Sequence, residues 1–136
     1  MNQRNPEGYM DLTPYEALQN MEQAQRKPMV FICSPFAGDI PLNINRAKRY
    51  ARFAVNRQAV PVIPHLMYPR FLDEHSLEER ELGIEMGLRL LENCQEIWVF
   101  GERISSGMVV EIEKAKSLKI PVRYFTIRCE MRKGVE

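Results

Sequence analysis

The segment EIWVFG, residues 96–101, decides the fold of this chain: it is an apolar run that ends at a glycine, and SSGMVVE, residues 105–111, follows shortly after it. A continuous apolar run of this length is typical of a strand that is buried on both faces. The residues after it predict a loop and a helix whose first part carries Glu111. Strand, loop and helix in this order predict one unit of a parallel α/β sheet.

The chain from residue 29 onward repeats this alternation. The predicted strands are residues 29–33, 60–63, 97–100 and 121–126, and the predicted helices are residues 42–57, 77–92 and 108–118. Pro61 has no amide hydrogen to donate to a neighbouring strand, which favours an edge position for its strand. Because parallel crossovers are right-handed and connections are short, the pattern predicts a doubly wound, mostly parallel α/β sheet of the flavodoxin or Rossmann kind.

An additional helix is predicted before the sheet. Thr13 can cap the free amides, Pro14 suits the first helical position, and Glu16 completes the S/T-x-x-E capping box of a helix that runs to about residue 26. Its apolar stripe is narrow, which favours packing against a neighbouring element or a second subunit, and we expect a homo-oligomer. The predicted organisation is an N-terminal arm and helix (1–27), one α/β domain (28–128) and a C-terminal tail (129–136).

Composition excludes several classes of function. The 136 residues suffice for one domain, and 19 Lys+Arg against 18 Asp+Glu give a formal charge of only +1, unlike the basic footprint of a protein that binds nucleic acid polymers. The three cysteines lack metal-ligand spacing and suit reduced thiols in the cytoplasm. No apolar run approaches the roughly 20 residues that span a bilayer. We expect a soluble, cytoplasmic protein with no membrane partner.

The loop after the first strand, SPFAGD at residues 34–39, leads into a helix that carries Asn43 and Arg46. Gly38 lets backbone amides approach a ligand, and the helix N-terminus that follows favours an anion such as phosphate. The loop matches neither the Walker pattern nor G-x-G-x-x-G. An ordinary turn in which Asp39 caps the helix explains the same residues equally well, and the sequence leaves both interpretations open.

A second loop places Pro64 and His65 directly after a predicted strand. A lone histidine more often packs or forms hydrogen bonds than catalyses, although a position at the end of a strand favours a direct role. His75 lies deeper in a polar loop and is expected to be solvated.

A third loop contains Ser105, Ser106 and Gly107, small residues that leave room for a sugar or a phosphate. Glu111 follows about one turn inside the helix, near the positive end of the helix dipole, which favours its ionised form. An ionised carboxylate beside a sugar is what a nucleophile at an anomeric carbon requires. Glu113 points to another face and cannot pair with it. Ordinary helix electrostatics also explain Glu111, and the residues by themselves favour that interpretation.

Five motifs follow one another along the chain: FICSPF (31–36), EIWVFG (96–101), S-x-G-x-x-x-E (105–111), Ala115 and IPV (120–122). In this order they resemble the nucleoside 2-deoxyribosyltransferase superfamily, in particular a phage and bacterial branch related to the deoxynucleoside 5'-monophosphate N-glycosidases. The resemblance covers about residues 28–126. It implies an enzyme whose partner is a small-molecule nucleoside or nucleotide.

The resemblance implies that Glu111 is a nucleophile: it attacks C1' of a deoxyribosyl group, expels the base and forms a glycosyl ester that water or a second base releases. Asp39 and His65 are, by position, candidates for sugar orientation or proton transfer to the departing base. This chemistry requires no metal or other cofactor. The candidate substrate-binding residues are Ser34, Phe36 and Gly38 in the first loop, Asn43, Arg46 and Arg80, of which the two arginines suit a phosphate, and Ser105, Ser106, Gly107 and Met108 before the nucleophile.

One departure from the family pattern bears on turnover. The aspartate that the family usually carries on the helix before the third strand corresponds here to Gly87, and a second acid just before that strand corresponds to Gln95. Arg80 and Glu85 lie nearby in the sequence. A nucleotide-sensing or sequestering module that uses the same pocket without turnover therefore stays open beside the enzyme, and a structural protein is a third reading.

Overall fold

The computed structural model of the protein describes residues 3–4, 10–11, 13–23 and 26–132. Its elements, in chain order, are β1 (Gln3–Arg4), β2 (Met10–Asp11), α1 (Pro14–Gln23), β3 (Met29–Cys33), α2 (Ile40–Asn56), β4 (Val60–Val62), α3 (Leu77–Leu91), β5 (Glu96–Phe100), α4 (Ser106–Ser117) and β6 (Val122–Phe125). Single 3-10 turns at Pro64–Leu66 and Tyr68–Arg70 follow β4. Each predicted strand and helix of the α/β domain is present, with ends shifted by a few residues.

Four strands form one sheet in the order β4-β3-β5-β6, and all neighbouring pairs are parallel. Phe31 lies beside Val62 on one side and Ile97 on the other, and Ile97 lies beside Val122. The first strand of the sheet in sequence is thus central, and the chain winds outward from it in both directions. This arrangement confirms the predicted doubly wound α/β fold of flavodoxin-like order.

The edge position predicted from Pro61 is confirmed, because β4 pairs with β3 alone in the described sheet. The strand is shorter than predicted and ends at Val62, since Ile63 leads into the turn that begins at Pro64. That turn carries His65 to the carboxyl end of the sheet.

The side chains of β3 alternate between two core layers. Phe31 and Cys33 pack with residues of α3 and α4, and Val30 and Ile32 pack with residues of α2. An aromatic cluster of Tyr50, Phe53, Trp98, Phe100 and Phe125 fills the layer under α2, with ring centroids 4.1 to 6.1 Å apart. Each such buried side chain contributes roughly 1.5–3 kcal/mol, so these two layers fix the strands that carry the site.

The predicted capping box at the start of α1 is confirmed. The Glu16 amide donates to Thr13 Oγ1 at 3.1 Å, and the Thr13 amide donates to Glu16 Oε2 at 3.2 Å. The helix was predicted to end at about residue 26; it is described to Gln23, residues 24–25 lie outside the described residues, and Arg26 is not helical. The rest of the predicted N-terminal arm lies outside the described residues, apart from the antiparallel pair β1 and β2.

Residues 126–132 turn back along the edge of the sheet. The Thr126 amide donates to the Glu130 carbonyl at 2.8 Å, and Phe125 and Met131 form an antiparallel bridge. The Arg132 guanidinium donates to the Gly101 carbonyl at 3.2 Å, so the first part of the predicted tail supports the loop after β5. In the parts of the chain that the structure describes, no helix has the length and apolar character to cross a membrane.

Candidate active site

Two helix N-termini meet at the carboxyl edge of the sheet. Asp39 caps α2, where its Oδ1 accepts a hydrogen bond from the Leu42 amide at 3.2 Å. Ser105 caps α4, where its Oγ accepts from the Met108 amide at 3.3 Å, while the Met108 sulfur accepts from the Ser105 amide at 3.5 Å. Both helices therefore point the positive ends of their dipoles at the same edge, which favours a negatively charged ligand.

A cleft of about 480 Å³ lies between these two helix starts. It joins four segments of the chain: the loop after β3, the first turns of α2, the end of β5 with the loop after it, and Ile127 after β6. Of the residues singled out in the sequence, it brings together Ser34, Gly38, Asp39, Asn43, Arg46 and Ser105.

The cleft also contains residues that sequence analysis did not single out. Tyr50 follows Arg46 by one turn of α2, and its ring lies on Phe100 with 4.1 Å between the centroids and 10° between the planes. Burial raises the pKa of Tyr50, and the neighbouring positive charge of Arg46 opposes that shift. Glu102 and Arg103 come from the loop after β5. These two residues could have been predicted from the sequence, because they directly follow Gly101 at the end of a strand, and loops at the carboxyl ends of strands line the binding sites of parallel sheets.

Asn43 and Gly38 give the first loop its shape. The Asn43 side-chain amide donates to the carbonyls of Phe36 at 3.0 Å and Ala37 at 3.1 Å. Gly38 has a φ of +98°, a backbone conformation that L side chains rarely adopt, although a Cβ there would meet nothing within 4 Å. Glycine is thus needed at position 38 for its backbone and not for space.

Glu111 lies on α4 beside the end of β3. Its Oε1 is buried and has no hydrogen-bond partner in the described part of the chain. Burial raises the pKa of Glu111 to about 7, and a hydrogen bond with the Cys33 thiol acts in the opposite direction. The carboxyl group is therefore poised to change its charge near neutral pH, which is a frequent property of functional groups in clefts.

Ser34 is a buried polar residue of the cleft. Its side chain is 1% exposed, it lines the cleft, and it follows Cys33 directly. Ser34 Oγ and Glu111 Oε1 are the two buried side-chain polar atoms that lack a partner among the described residues. Buried polar atoms in native proteins are nearly always hydrogen bonded, so each of these two atoms is available to a polar ligand or water.

His65 and Phe36 form a stacked pair on the other side of Ser34, with 5.0 Å between the ring centroids and 28° between the planes. Burial lowers the pKa of His65, and a hydrogen bond to the Ser34 backbone acts in the opposite direction. The imidazole is therefore neutral at pH 7. In the described ranges, Phe36, His65 and Glu111 lie outside the lining of the cleft.

The remaining candidates are spread around this edge. Ser106 and Gly107 are exposed in the first turn of α4, whereas Met108 is 1% exposed and packs in the core between α4 and the sheet. Arg80 is exposed near the start of α3, outside the cleft lining in the part of the chain described. His75 is exposed, as expected. The Met108 side chain thus lies in the core, and Arg80 lies on the surface away from the cleft lining.

The two positions where the chain departs from the family pattern have structural roles here. Gly87 is buried in α3, where a Cβ would lie 3.5 Å from Pro64 Cγ, so the loop that carries His65 packs directly on this helix. The Gln95 side chain accepts a hydrogen bond from the Met29 amide at 2.6 Å, at the amino end of the sheet and away from the cleft. Among the described residues, no group of three or more His, Cys, Asp or Glu side chains is arranged to hold a metal ion.

Comparison with known proteins shows the family of this chain. Residues 28–125 match the family described as "Domain of unknown function (DUF7768)". The chain belongs to this family. Its fold is similar to that of a solved 2-deoxyribosyltransferase from the psychrotolerant bacterium Bacillus psychrosaccharolyticus, with a TM-score of 0.56, 17% sequence identity and 72% of each chain covered. No curated protein matches the chain. At this identity the likeness concerns the fold, and it agrees with the resemblance seen in the sequence.

Proposed function

We propose that this member of the family cleaves or exchanges the N-glycosidic bond of a deoxynucleoside or its monophosphate, with Glu111 as nucleophile. The observation that carries the proposal is the buried Oε1 of Glu111, which has no partner in the described residues and belongs to a carboxyl group with a pKa of about 7. A purely structural carboxylate is stabilised by partners, whereas a nucleophile needs a free oxygen.

In the proposed reaction the ionised Glu111 attacks C1', and the bond between C1' and the base nitrogen breaks. The base leaves with the electron pair and takes up a proton, and an ester joins Glu111 to the sugar. Water or a second base then attacks C1' and restores the carboxylate, so the configuration is retained after two inversions. Because only the ionised form attacks, kcat/KM is expected to rise with pH through about 7.

The cleft supports binding of the substrate in this proposal. Arg46 and the N-terminus of α2 offer positive charge to a 5'-phosphate, and Ser34 Oγ offers a hydrogen bond to a sugar hydroxyl. Asp39 and Asn43 line the same cleft beside them, and Ser105, Ser106 and Gly107 form the turn before the nucleophile. The Phe36 and His65 rings offer an apolar wall for a base, and a neutral His65 can donate or accept a hydrogen bond there.

The experiment is incubation with a panel of deoxynucleosides and their monophosphates, followed by chromatography for free base. We expect Glu111→Gln to abolish release of base, because glutamine keeps the shape and removes the nucleophilic charge. Glu113→Gln is the matched control, since Glu113 is exposed on the same helix and points elsewhere. Equal release by wild type and Glu111→Gln across the panel would contradict the proposal.

A second candidate is a module that binds a nucleotide in the same cleft without turnover. Gly87 favours it, because this position, which carries an aspartate in the family pattern, is buried here against Pro64. Calorimetric titration with each monophosphate, followed by recovery of the ligand, separates the two. Ligand that binds and is recovered intact supports the module, and stoichiometric loss of ligand supports the enzyme.

We further propose that the protein acts as a cytoplasmic homo-oligomer. Tyr15, Leu18 and Met21 on α1 are 69%, 55% and 69% exposed, so the apolar stripe of this helix is available to a second subunit. The three cysteines are free thiols, which suits a reducing compartment. Light scattering at micromolar concentration tests the assembly, and a monomeric mass there would contradict it.

A further inference from the structure

The cleft is larger than the proposed reaction requires. In that reaction the sugar carbon lies at Glu111 and the base lies against Phe36 and His65, and these three residues lie outside the lining of the cleft in the described chain. The 5' substituent is left to fill the cleft, whose volume is about 480 Å³. Pockets of about 300–1,000 Å³ hold whole drug-sized ligands, so a single phosphate group would leave most of this space empty.

The cleft extends along the carboxyl edge of the sheet, away from the stacked rings of Phe36 and His65. Ser34 lines it after β3, Gly101 after β5 and Ile127 after β6, so the lining reaches across three neighbouring strands. At a spacing of about 4.8 Å between strands, this distance is about 10 Å. The two rings follow β3 and β4, toward the other edge of the sheet. A substituent that fills the cleft therefore leads from the reacting sugar toward β6.

Two arginine side chains line the cleft from different segments of the chain. Arg46 is half-buried on α2, and Arg103 is exposed in the loop after β5. In the part of the chain that the structure describes, neither guanidinium has an ion-pair partner. The loop of Arg103 is held at its start, because the Gly101 carbonyl accepts from the Arg132 guanidinium at 3.2 Å. One guanidinium suits one phosphate group, so this pair suits a diphosphate.

A bare diphosphate would leave two features of the lining without a use. Glu102 is an exposed carboxylate beside Arg103, and its charge repels a phosphate group, whereas Asp39 already caps α2. A carboxylate accepts hydrogen bonds from sugar hydroxyls, as the acidic residue of dinucleotide-binding folds does with ribose. Ile104 and Ile127, which are 37% and 41% exposed, add apolar surface to the same lining. A sugar-bearing group attached to the diphosphate would contact both features.

We propose that the substrate carries at its 5' position a diphosphate that links it to a second sugar, as in a nucleotide sugar or a dinucleotide. Arg46 binds the first phosphate, Arg103 binds the second, and Glu102 accepts hydrogen bonds from hydroxyls of the second sugar. The proposal rests on the proposed function, in which the reacting sugar lies at Glu111, and it names a substrate larger than a monophosphate. Ser34 Oγ, which has no partner among the described residues, stays available to the first sugar.

The test is calorimetric titration of Glu111→Gln, which binds the substrate without turnover in the proposed reaction. The first probes are the 5'-monophosphates and 5'-diphosphates of the four common deoxynucleosides. The second probes extend the diphosphate: ADP-, CDP-, GDP- and dTDP-glucose are nucleotide sugars, and NAD⁺ is a dinucleotide. Each extended probe is compared with the nucleoside diphosphate that it contains. Chromatography of the recovered ligand checks that it stays intact.

We expect the diphosphate of the preferred base to bind at least about tenfold more tightly than its monophosphate, since it makes one more charge-assisted contact. Arg103→Gln should remove this gain and leave binding of the monophosphate within about twofold of the parent protein. Arg128→Gln is the matched control and should keep the gain, because Arg128 is exposed next to Ile127 but outside the lining in the described chain. Both arginines are exposed, so neither substitution endangers folding.

Glu102→Gln should have opposite effects on the two classes of probe. It should strengthen binding of the bare diphosphate, because a repelling charge is removed, and it should reduce the affinity that the attached sugar adds, because the amide is a weaker acceptor. The extended probe that gains most identifies the second group as a glycosyl unit or a nucleoside. A diphosphate that binds no more tightly than its monophosphate, or fails to bind, overturns the proposal. An attached sugar that adds no affinity in either class of extended probe overturns it as well.

These titrations fail or succeed separately from the proposed reaction. If the affinities follow the expected order while wild type releases no base from any probe, the proposed function is wrong and the ligand class of the cleft stands. If wild type releases base from a monophosphate while no diphosphate binds more tightly, the ligand class is wrong and Glu111 keeps its role.

Discussion

The imidazole of His65 lies against the phenyl ring of Phe36, with 5.0 Å between the ring centroids. His65 follows the edge strand β4 and Phe36 follows the central strand β3, so this contact joins two loops that are distant in the sequence. The Ser34 backbone opposes the effect of burial on the pKa of His65, and Ser34 lines the cleft. The stack therefore fixes one side of the carboxyl edge at which the candidate residues meet.

This contact predicts coupling between the two side chains. In a double-mutant cycle with Phe36→Leu and His65→Gln, we expect a coupling energy of about 0.5–1.5 kcal/mol in the free energy of unfolding. Urea denaturation measures each corner of the cycle. Phe71→Leu paired with Phe36→Leu is the control and should be additive, because Phe71 is 63% exposed. Strict additivity of the first pair would show that the stack contributes nothing.

Burial of Glu111 predicts a dependence of stability on pH. The folded protein raises the pKa of Glu111 from 4.5 to about 7, so the folded state binds more protons than the unfolded state between these values. The free energy of unfolding should therefore fall as the pH rises from 4.5 to 7, by up to about 3 kcal/mol. Glu111→Gln should remove this loss and be more stable than wild type above pH 7. Urea denaturation at several pH values measures both proteins.

His65 acts in the opposite direction over part of that range. Its pKa is lowered by burial, so the unfolded state binds the extra proton and stability rises with pH below 6.5. This contribution is common to wild type and Glu111→Gln, and the difference between their two curves isolates Glu111. A difference that does not change with pH would contradict the burial of an ionisable carboxyl group at this position.

The fold followed from the sequence because local patterns determine its parts. The apolar run at Met29–Cys33 and the amide-free Pro61 were sufficient to predict one strand of the parallel sheet and one edge strand. Thr13 and Glu16 form the hydrogen bonds that their spacing predicted. In each case the physical cause lies within a few residues of the chain, or in a burial pattern that one strand displays by itself.

The residues that form the site were harder to predict from the sequence, because the site depends on which side chains meet across the sheet. Cys33 looks in the sequence like any apolar strand residue, and only the parallel register and the crossover to α4 bring its thiol to the Met108 carbonyl. Met108 precedes the candidate nucleophile in a small-residue loop, yet helical periodicity turns its side chain into the core. Arg103 lines the cleft through a loop conformation that no periodic pattern encodes.

The two arginines proposed for a phosphate give a matched comparison. Arg46 lines the cleft at the N-terminus of α2, whereas Arg80 is exposed on α3 outside that lining in the described chain. We expect Arg46→Gln to weaken binding of a nucleoside monophosphate at least tenfold while leaving the corresponding nucleoside within about twofold, since one charge-assisted contact is worth roughly 1.5–3 kcal/mol. Arg80→Gln should match wild type for both ligands. Isothermal titration calorimetry with each pair of ligands measures this, and equal losses for both variants would count against the cleft as the phosphate site.

Two glycines predict opposite effects of the same substitution. Gly87 lies inside α3 with ordinary backbone angles, and an added Cβ would meet Pro64 Cγ at 3.5 Å, a normal van der Waals distance. Gly87→Ala should therefore raise the free energy of unfolding by up to about 1 kcal/mol, because alanine favours helix interiors over glycine. Gly38 has open space but a φ of +98°. Gly38→Ala should lower the free energy of unfolding by about 1–2 kcal/mol, because an L side chain is strained in that conformation.

Urea denaturation of the two variants shows whether each glycine is required by its backbone conformation or by the lack of room for a Cβ atom. Gly38→Ala should also weaken ligand binding, since Gly38 and Asn43 shape the loop that lines the cleft, whereas Gly87→Ala should retain it. A destabilised Gly87→Ala would mean that the loop carrying His65 packs on α3 too closely to accept even one methyl group. In that case the glycine is required by the contact with Pro64, and an aspartate at this position could not be restored without moving the loop.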